Sequence, residues 1–212
     1  HRLLPAFLTP LPKLKTHPHP FPGLGLDHGP DMDIATAGLS VRPWLAAHHA
    51  CTPGEAAARA RLRSFIREGL ARYTEDRNHP VRQGQSGLSP YLHFGQISAQ
   101  RVALEIQGAD VSTETRDAFL EELIVRRELS DNYVFYNEAY DRIEGIPPWA
   151  RATLDAHRGD RRAPLYSVAQ LEAAETHDAL WNAAQMEMVK TARMHGYLRM
   201  YWGKKLLEWT PS

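Results

Sequence analysis

From Thr52 onward the apolar residues recur at three- and four-residue spacing, and nowhere does the chain alternate apolar and polar residues for the length of a strand. A chain without half-buried strands builds its core by packing helices on helices, so this pattern predicts an all-α fold. Before Thr52 the pattern is different. Residues 1–50 hold eight of the 15 prolines together with Gly23, Gly25, Gly29 and Gly38, without helical or strand period. They read as an extended, mostly irregular Pro/Gly-rich linker segment that grips a surface through Leu3, Leu4, Phe7, Leu8 and Leu11. Residues 51–212 read as one helical domain.

Within that domain, Thr52-Pro53-Gly54-Glu55 has the form of a capping box with proline at the first helical position. Leu62, Phe65, Ile66, Leu70 and Tyr73 then follow on one face, which predicts a helix of about five turns ending near Tyr73. Ser98 opens a helix that stops at Gly108, and a third runs from Asp117 to about Asn137 with Phe119, Leu120, Leu123, Ile124 and Leu129 inward. Pro147-Pro148 starts a short helix to about His157, Ser167 with Gln170 caps another to about Ala174, and Asp178 caps the helix carrying Trp181, Ala184 and Met188. Gly196 marks a break or a close backbone contact before a last helix from Tyr197 to Trp209.

Bulk properties narrow the functional classes. No apolar run approaches the length of a membrane span, which predicts a soluble protein with no membrane partner. A single cysteine, Cys51, excludes an internal disulfide framework and fits a reducing, cytoplasmic compartment. Lys+Arg and Asp+Glu balance at 25 each, so any affinity for nucleic acid has to come from a local patch. His17 with His19, and His48-His49 near Cys51, lack the spacing and ligand number of a zinc site, so no metal is expected. Neither a Walker loop nor a dinucleotide fingerprint is present, and the Gly84 to Gly87 spacing lacks a preceding strand.

The segment Ser86-Gly87-Leu88-Ser89-Pro90-Tyr91-Leu92-His93-Phe94-Gly95 runs a small-residue turn into a proline-started helix. A serine cap followed by proline leaves the first-turn amides free to face an anion. With the hydroxyls of Ser86 and Ser89, these suit a pyrophosphate without a lysine. The same local pattern describes an ordinary capped helix.

Three long blocks go further: Ser86 to Ser98, Phe119 to Leu129, and Met194 to Trp209. Over them, and over nearly everything from Tyr73 to Trp209, the chain resembles the class II cyclobutane pyrimidine dimer photolyases of the photolyase/cryptochrome family. The resemblance implies a helical domain that binds FAD and repairs pyrimidine dimers in DNA by light-driven electron transfer. It places Tyr73, Ser86, Gly87, Leu88 and Ser89 on the flavin phosphates, and Arg126 and Arg199 near the cofactor. Glu122 falls where a carboxyl group contacts the dimer, its pKa raised by partial burial among Phe119, Leu123 and Ile124. Periodicity alone gives Tyr73 as a core aromatic, Glu122 as a solvated glutamate and Arg126 as its i,i+4 ion-pair partner.

The resemblance further maps an electron relay onto Trp202, Trp181 and Trp209, with Trp202 and Trp181 inward and Trp209 toward solvent. In any case Trp202 and Trp209, seven residues apart, share one helix face as packing knobs. Arg158, Arg161, Arg162, Lys204 and Lys205 are candidate DNA-phosphate contacts, or a solvated surface. The family implies an N-terminal antenna domain and a further helical stretch after Ser212, so both ends read as cut and the FAD pocket as incomplete at the C-terminus. A monomeric, nucleoid-associated parent is expected, and weak or no retention of FAD by these 212 residues. Two alternatives stay open: a cryptochrome-like flavin photoreceptor, and a cofactor-free helical module that binds nucleic acid.

Overall fold

A computed structural model describes residues 4–13 and 52–211. The chain divides into two units, His1–Ala50 and Cys51–Ser212. In the first, α1 (Leu4–Phe7) is a single helical turn where the sequence pattern showed none, followed by irregular chain to Lys13. The expected extended course of residues 14–50, and the histidines at 17, 19, 48 and 49 with Cys51, lie outside the described residues.

In the second unit, α2 (Glu55–Glu68) buries Ala58, Leu62 and Phe65, the face set by their spacing. The Thr52 capping box does not form. Gly54 is the cap, at φ 103, a conformation open to glycine, and its N–H donates to Gln96 Oε1 at 2.9 Å. The predicted five-turn helix also breaks at Gly69, where a Cβ would sit 3.0 Å from the Phe65 ring. A 3-10 turn (Leu70–Arg72) and a short α3 (Tyr73–Asp76) carry the chain on.

Then come α4 (Ser89–His93) and α5 (Ala99–Gln107), the latter capped by Ser98 Oγ, which accepts from the Arg101 N–H at 3.1 Å, and closed by Gly108. Next, α6 (Thr113–Leu120) starts four residues ahead of the predicted Asp117 because Ser112 caps it. It then widens into a six-residue π-helical segment, Glu121–Arg126, before α7 (Arg127–Tyr136), none of whose residues is buried. Phe65, Tyr73 and Phe119 form the aromatic centre of this half, with ring centroids 5.2–6.0 Å apart.

The other half holds α8 (Pro148–Ala156), α9 (Val168–Glu172), α10 (Ala179–Thr191) and α11 (Gly196–Trp209). Ser167 with Gln170 makes its capping box and Asp178 caps α10, as their side-chain chemistry predicts. Leu171, Trp181 and Trp209 form one core cluster, and Ala184, Met194 and Leu198 another, both flanked by Trp202. The described residues contain helices and no strand, so the fold is all-α. Among them no helix is long and apolar enough to cross a membrane.

Candidate functional site

The three tryptophans meet because α10 and α11 pack against each other. Trp202 and Trp209 stand about 10 Å apart along one face of α11, and Trp181 of α10 enters between them. Its ring stacks on Trp202 at 6.0 Å and 7° and meets Trp209 edge-on at 5.7 Å and 64°. Trp181 Nε1 donates to the Trp202 carbonyl at 3.2 Å, and Trp202 Nε1 donates to Oε1 of the buried Gln185 at 2.9 Å. Asp178 fixes the register of the two helices: Oδ1 accepts from the Trp181 N–H at 2.9 Å and Oδ2 from the Tyr201 hydroxyl. That hydrogen bond pushes the Tyr201 phenol up to about 12. Burial raises the Asp178 carboxyl, but the bonds from Tyr201 and from the Trp181 and Leu180 N–H groups outweigh it and hold the carboxyl below its ordinary value.

The expected exposure of Trp209 is not found. Its ring is 2% exposed, covered by Tyr166 (5.5 Å between centroids) and His177 (5.2 Å), with the Lys205 ammonium 5.4 Å from its centre. The residues that close this end are 30 to 45 positions away in sequence, so the spacing of the tryptophans could not reveal them.

The loop before α4 lies against the start of α11. Arg61 Nε donates to the Ser86 carbonyl at 2.7 Å and Nη2 to the Gln85 carbonyl at 3.3 Å. Gly87, at φ +69, brings its backbone so near that a Cβ would lie 2.9 Å from Arg61 Nε. Neither serine caps α4: Leu88 is the cap residue, Ser89 is already helical, and Ser86 Oγ accepts from the Leu88 N–H at 3.3 Å. The Ser89 hydroxyl has no hydrogen-bond partner among the described residues. At Gly196 a Cβ would stand 3.1 Å from Gln85 Nε2, the close backbone contact expected there. Beside it, His195 caps α11 through Nδ1, while its buried Nε2 has no partner in the protein; burial lowers the pKa of this imidazole. Arg199 is exposed one turn further along.

On the opposite side of the loop, Tyr73 is a core aromatic, and burial raises its phenol while Arg77 works against that rise. The Arg77 guanidinium lies over its ring at 5.6 Å and donates to Glu122 Oε1 at 3.0 Å. Glu122 is thus an ion-paired, half-exposed side chain at 46%, not the partly buried one expected. Arg126 pairs with Glu121 at 3.7 Å and not with Glu122, because the π-helical turn makes i,i+5 neighbours of residues that an α-helix would separate. Arg77 was missed by sequence reasoning, although it lies one turn after Tyr73.

The basic cluster sorts itself. Arg162 Nη1 donates to the Leu207 and Thr210 carbonyls at 2.6 and 2.7 Å, so it caps the end of α11. Arg158 pairs with Asp155, and Lys205 with Glu208. Arg161 and Lys204 have no acidic partner among the described residues and share a cleft of about 500 Å³ with His157, Asp160 and Glu208. A second cleft of about 450 Å³ lies between α2 and the Gly84 loop, where Asp76 holds Arg82 at 2.6 Å and Arg72 at 3.6 Å. No group of acidic, histidine or cysteine side chains among the described residues is arranged to hold a metal ion.

A helical fold of this kind is known. Over 80% of this chain it matches 35% of a bacterial class III photolyase from Agrobacterium tumefaciens, with a TM-score of 0.57 at 20% identity, which identifies the fold as the photolyase helical type. Sequence similarity is closer elsewhere. The chain is 46% identical to the deoxyribodipyrimidine photo-lyase of Potorous tridactylus over all of its own length and 40% of that protein's. It is 44% identical to the Arabidopsis thaliana photo-lyase over 99% of its length and 44% of that protein's. To the Methanothermobacter thermautotrophicus photo-lyase it is 52% identical over 74% of its length and 34% of the relative's. No family model matches. The chain belongs to the photolyase family and spans about two fifths of the length of the relatives it matches.

Proposed function

We propose that this chain is the helical, FAD-binding part of a class II DNA photolyase, a lyase that splits cyclobutane pyrimidine dimers with light. The observation that carries this reading is the series of touching indoles, Trp202, Trp181 and Trp209, in a chain that is 46% identical to a photo-lyase. Three easily oxidised rings in contact are more than helix packing needs, and they form a route for single electrons.

The residues present fit FAD. Gly87 allows close backbone approach, the Ser89 hydroxyl is unengaged, and the unpartnered buried Nε2 of His195 faces the same junction of loop and helix. Ser86, Gly87, Leu88, Ser89 and Tyr73 would hold the phosphates, with Arg126 and Arg199 supplying positive charge nearby. When bound and reduced, FAD supplies on excitation the electron that opens the dimer. Glu122 hydrogen-bonds the dimer's base edge, and Arg77 fixes where its carboxyl group stands. Arg161 and Lys204 provide the phosphate contacts that an overall balanced charge cannot.

The test uses the full-length flavin-loaded polypeptide. Trp202→Phe is expected to abolish light-driven reduction of the oxidised flavin while the chemically reduced protein still repairs dimers. Unchanged photoreduction kinetics would remove the relay, and a full-length protein that purifies without flavin would remove the cofactor assignment.

A further inference from the structure

We propose that Tyr166 and His177 end the tryptophan series as a proton-coupled pair, with Tyr166 giving its electron to an oxidised Trp209 and its hydroxyl proton to Nδ1 of His177. The proposal rests on the relay reading of the three tryptophans. Neither residue follows from the tryptophan spacing; the fold brings them together over the Trp209 ring.

Hydrogen-bond geometry sets the direction of proton transfer. The Tyr166 hydroxyl oxygen lies 2.6 Å from His177 Nδ1 and also accepts the backbone N–H of His177 at 3.0 Å. It has no third partner among the described residues, so its own proton points at Nδ1. Nδ1 is then an acceptor, and the proton of the neutral ring sits on Nε2. Because His177 is exposed, a proton received at Nδ1 has a way out to water through Nε2. Tyr166 is also tied to the ring it would reduce, since its backbone N–H donates to the Trp209 carbonyl at 3.1 Å. All three rings touch: 5.5 Å from Tyr166 to Trp209, 5.2 Å from His177 to Trp209, and 6.0 Å between Tyr166 and His177.

Electrostatics explains why a positive charge would not rest on Trp209. The Lys205 ammonium stands 5.4 Å from its ring centre, and Glu208, 2.8 Å from that ammonium, offsets it only in part. At 2% exposure the indole has no water to take up a proton. Tyr166 removes the difficulty by losing an electron and a proton together. Its O–H bond breaks and the Nδ1–H bond forms. Trp209 becomes neutral, Tyr166 a neutral phenoxyl radical, and His177 an imidazolium. The oxidant is the excited flavin, which draws the electron through Trp202 and Trp181. The new imidazolium, in contact with Trp209, opposes return of the hole. Tyr201 also lies beside the indoles, but its hydroxyl is bound to Asp178, whose carboxyl is held below its ordinary value and is a poor proton acceptor.

Two readouts on the full-length flavin-loaded protein test the pair. In the dark, nitrogen NMR of His177 is expected to show an unprotonated Nδ1; a proton on Nδ1 would overturn the assignment. After a flash, electron paramagnetic resonance is expected to detect a long-lived tyrosyl radical that forms more slowly in heavy water. That radical should be lost in Tyr166→Phe and in His177→Phe or His177→Gln, with the tryptophan radical decaying faster in each. A tyrosyl signal unchanged in both His177 variants refutes the pair and leaves the relay standing. Absence of any tryptophan radical in the parent refutes the relay, and the pair with it.

Discussion

Trp181→Phe separates the packing role of the central indole from its redox role. The indole is fully buried, and replacing it with a phenyl ring leaves a void of roughly 40 Å³, about 1 kcal/mol of cavity cost beyond the lost transfer energy. The hydrogen bond from Nε1 to the Trp202 carbonyl contributes about 1 kcal/mol more. The sum, about 2 to 3 kcal/mol, is small against the roughly 5 to 15 kcal/mol of a folded domain, so the variant should fold with a Tm lower by roughly 5 to 10 °C. Electron flow should suffer far more, since Trp202 and Trp209 are then left about 10 Å apart with no oxidisable ring between them. Circular dichroism melting and flash photolysis of the full-length protein measure the two effects independently. An unchanged Tm would refute the packing argument, and normal photoreduction in a folded variant would refute the relay.

Other changes probe other parts of the fold. Gly84→Ala would place a Cβ 2.5 Å from the Asp76 carbonyl carbon, backbone that cannot swing away, and should cost about 1 to 3 kcal/mol. Gly159→Ala, with open space around it, should fall within about 0.5 kcal/mol of wild type in the same urea titration. The hydrogen bond from Arg82 holds the Asp76 carboxyl below its ordinary value, with burial opposing and Arg72 assisting. A depressed folded pKa means that this pairing stabilises fully above the unfolded value of about 3.9 and is lost as pH falls through the folded one. Asp76→Asn should therefore flatten the acid loss of stability, whereas parallel urea midpoints for both proteins down to pH ~2 would show that the pairing contributes nothing. On DNA, Arg161→Ala with Lys204→Ala should reduce the slope of log affinity against log salt by about 2. Arg162→Ala, which instead uncaps α11, should lower stability with little change in that slope.

Short-range chemistry was readable in advance, and long-range closure was not. Ser98, the Ser167 and Gln170 pair, and Asp178 cap the helices assigned to them because a cap is satisfied within three residues. Thr52 failed at the same task because Gly54, free to take a positive φ, started the helix instead and found a partner in Gln96, 42 positions away. Gly69 ended α2 early for a tertiary reason, its closeness to the Phe65 ring. The contact of Trp181 with both other indoles agrees with the relay order inferred from the resemblance, whereas the burial of Trp209 depends on Tyr166 and His177, which no local pattern links to it. Glu122 was expected among apolar neighbours, yet Arg77, 45 positions earlier, takes its carboxylate.

The wide turn at Glu121–Arg126 also bears on which sequence changes this region can accept. Each residue of an α-helix advances the chain by about 100°, so removing one residue from the π-helical turn would tighten it to ordinary geometry while rotating everything downstream by that angle. Leu123 and Phe119 would keep their places in the core, but the outward row of α7, with Tyr133 and its hydrogen bond to the Gly145 carbonyl, would swing to another face. Substitutions in Glu121–Arg126 are therefore local events, whereas a change of length by one residue reorients the whole segment that follows.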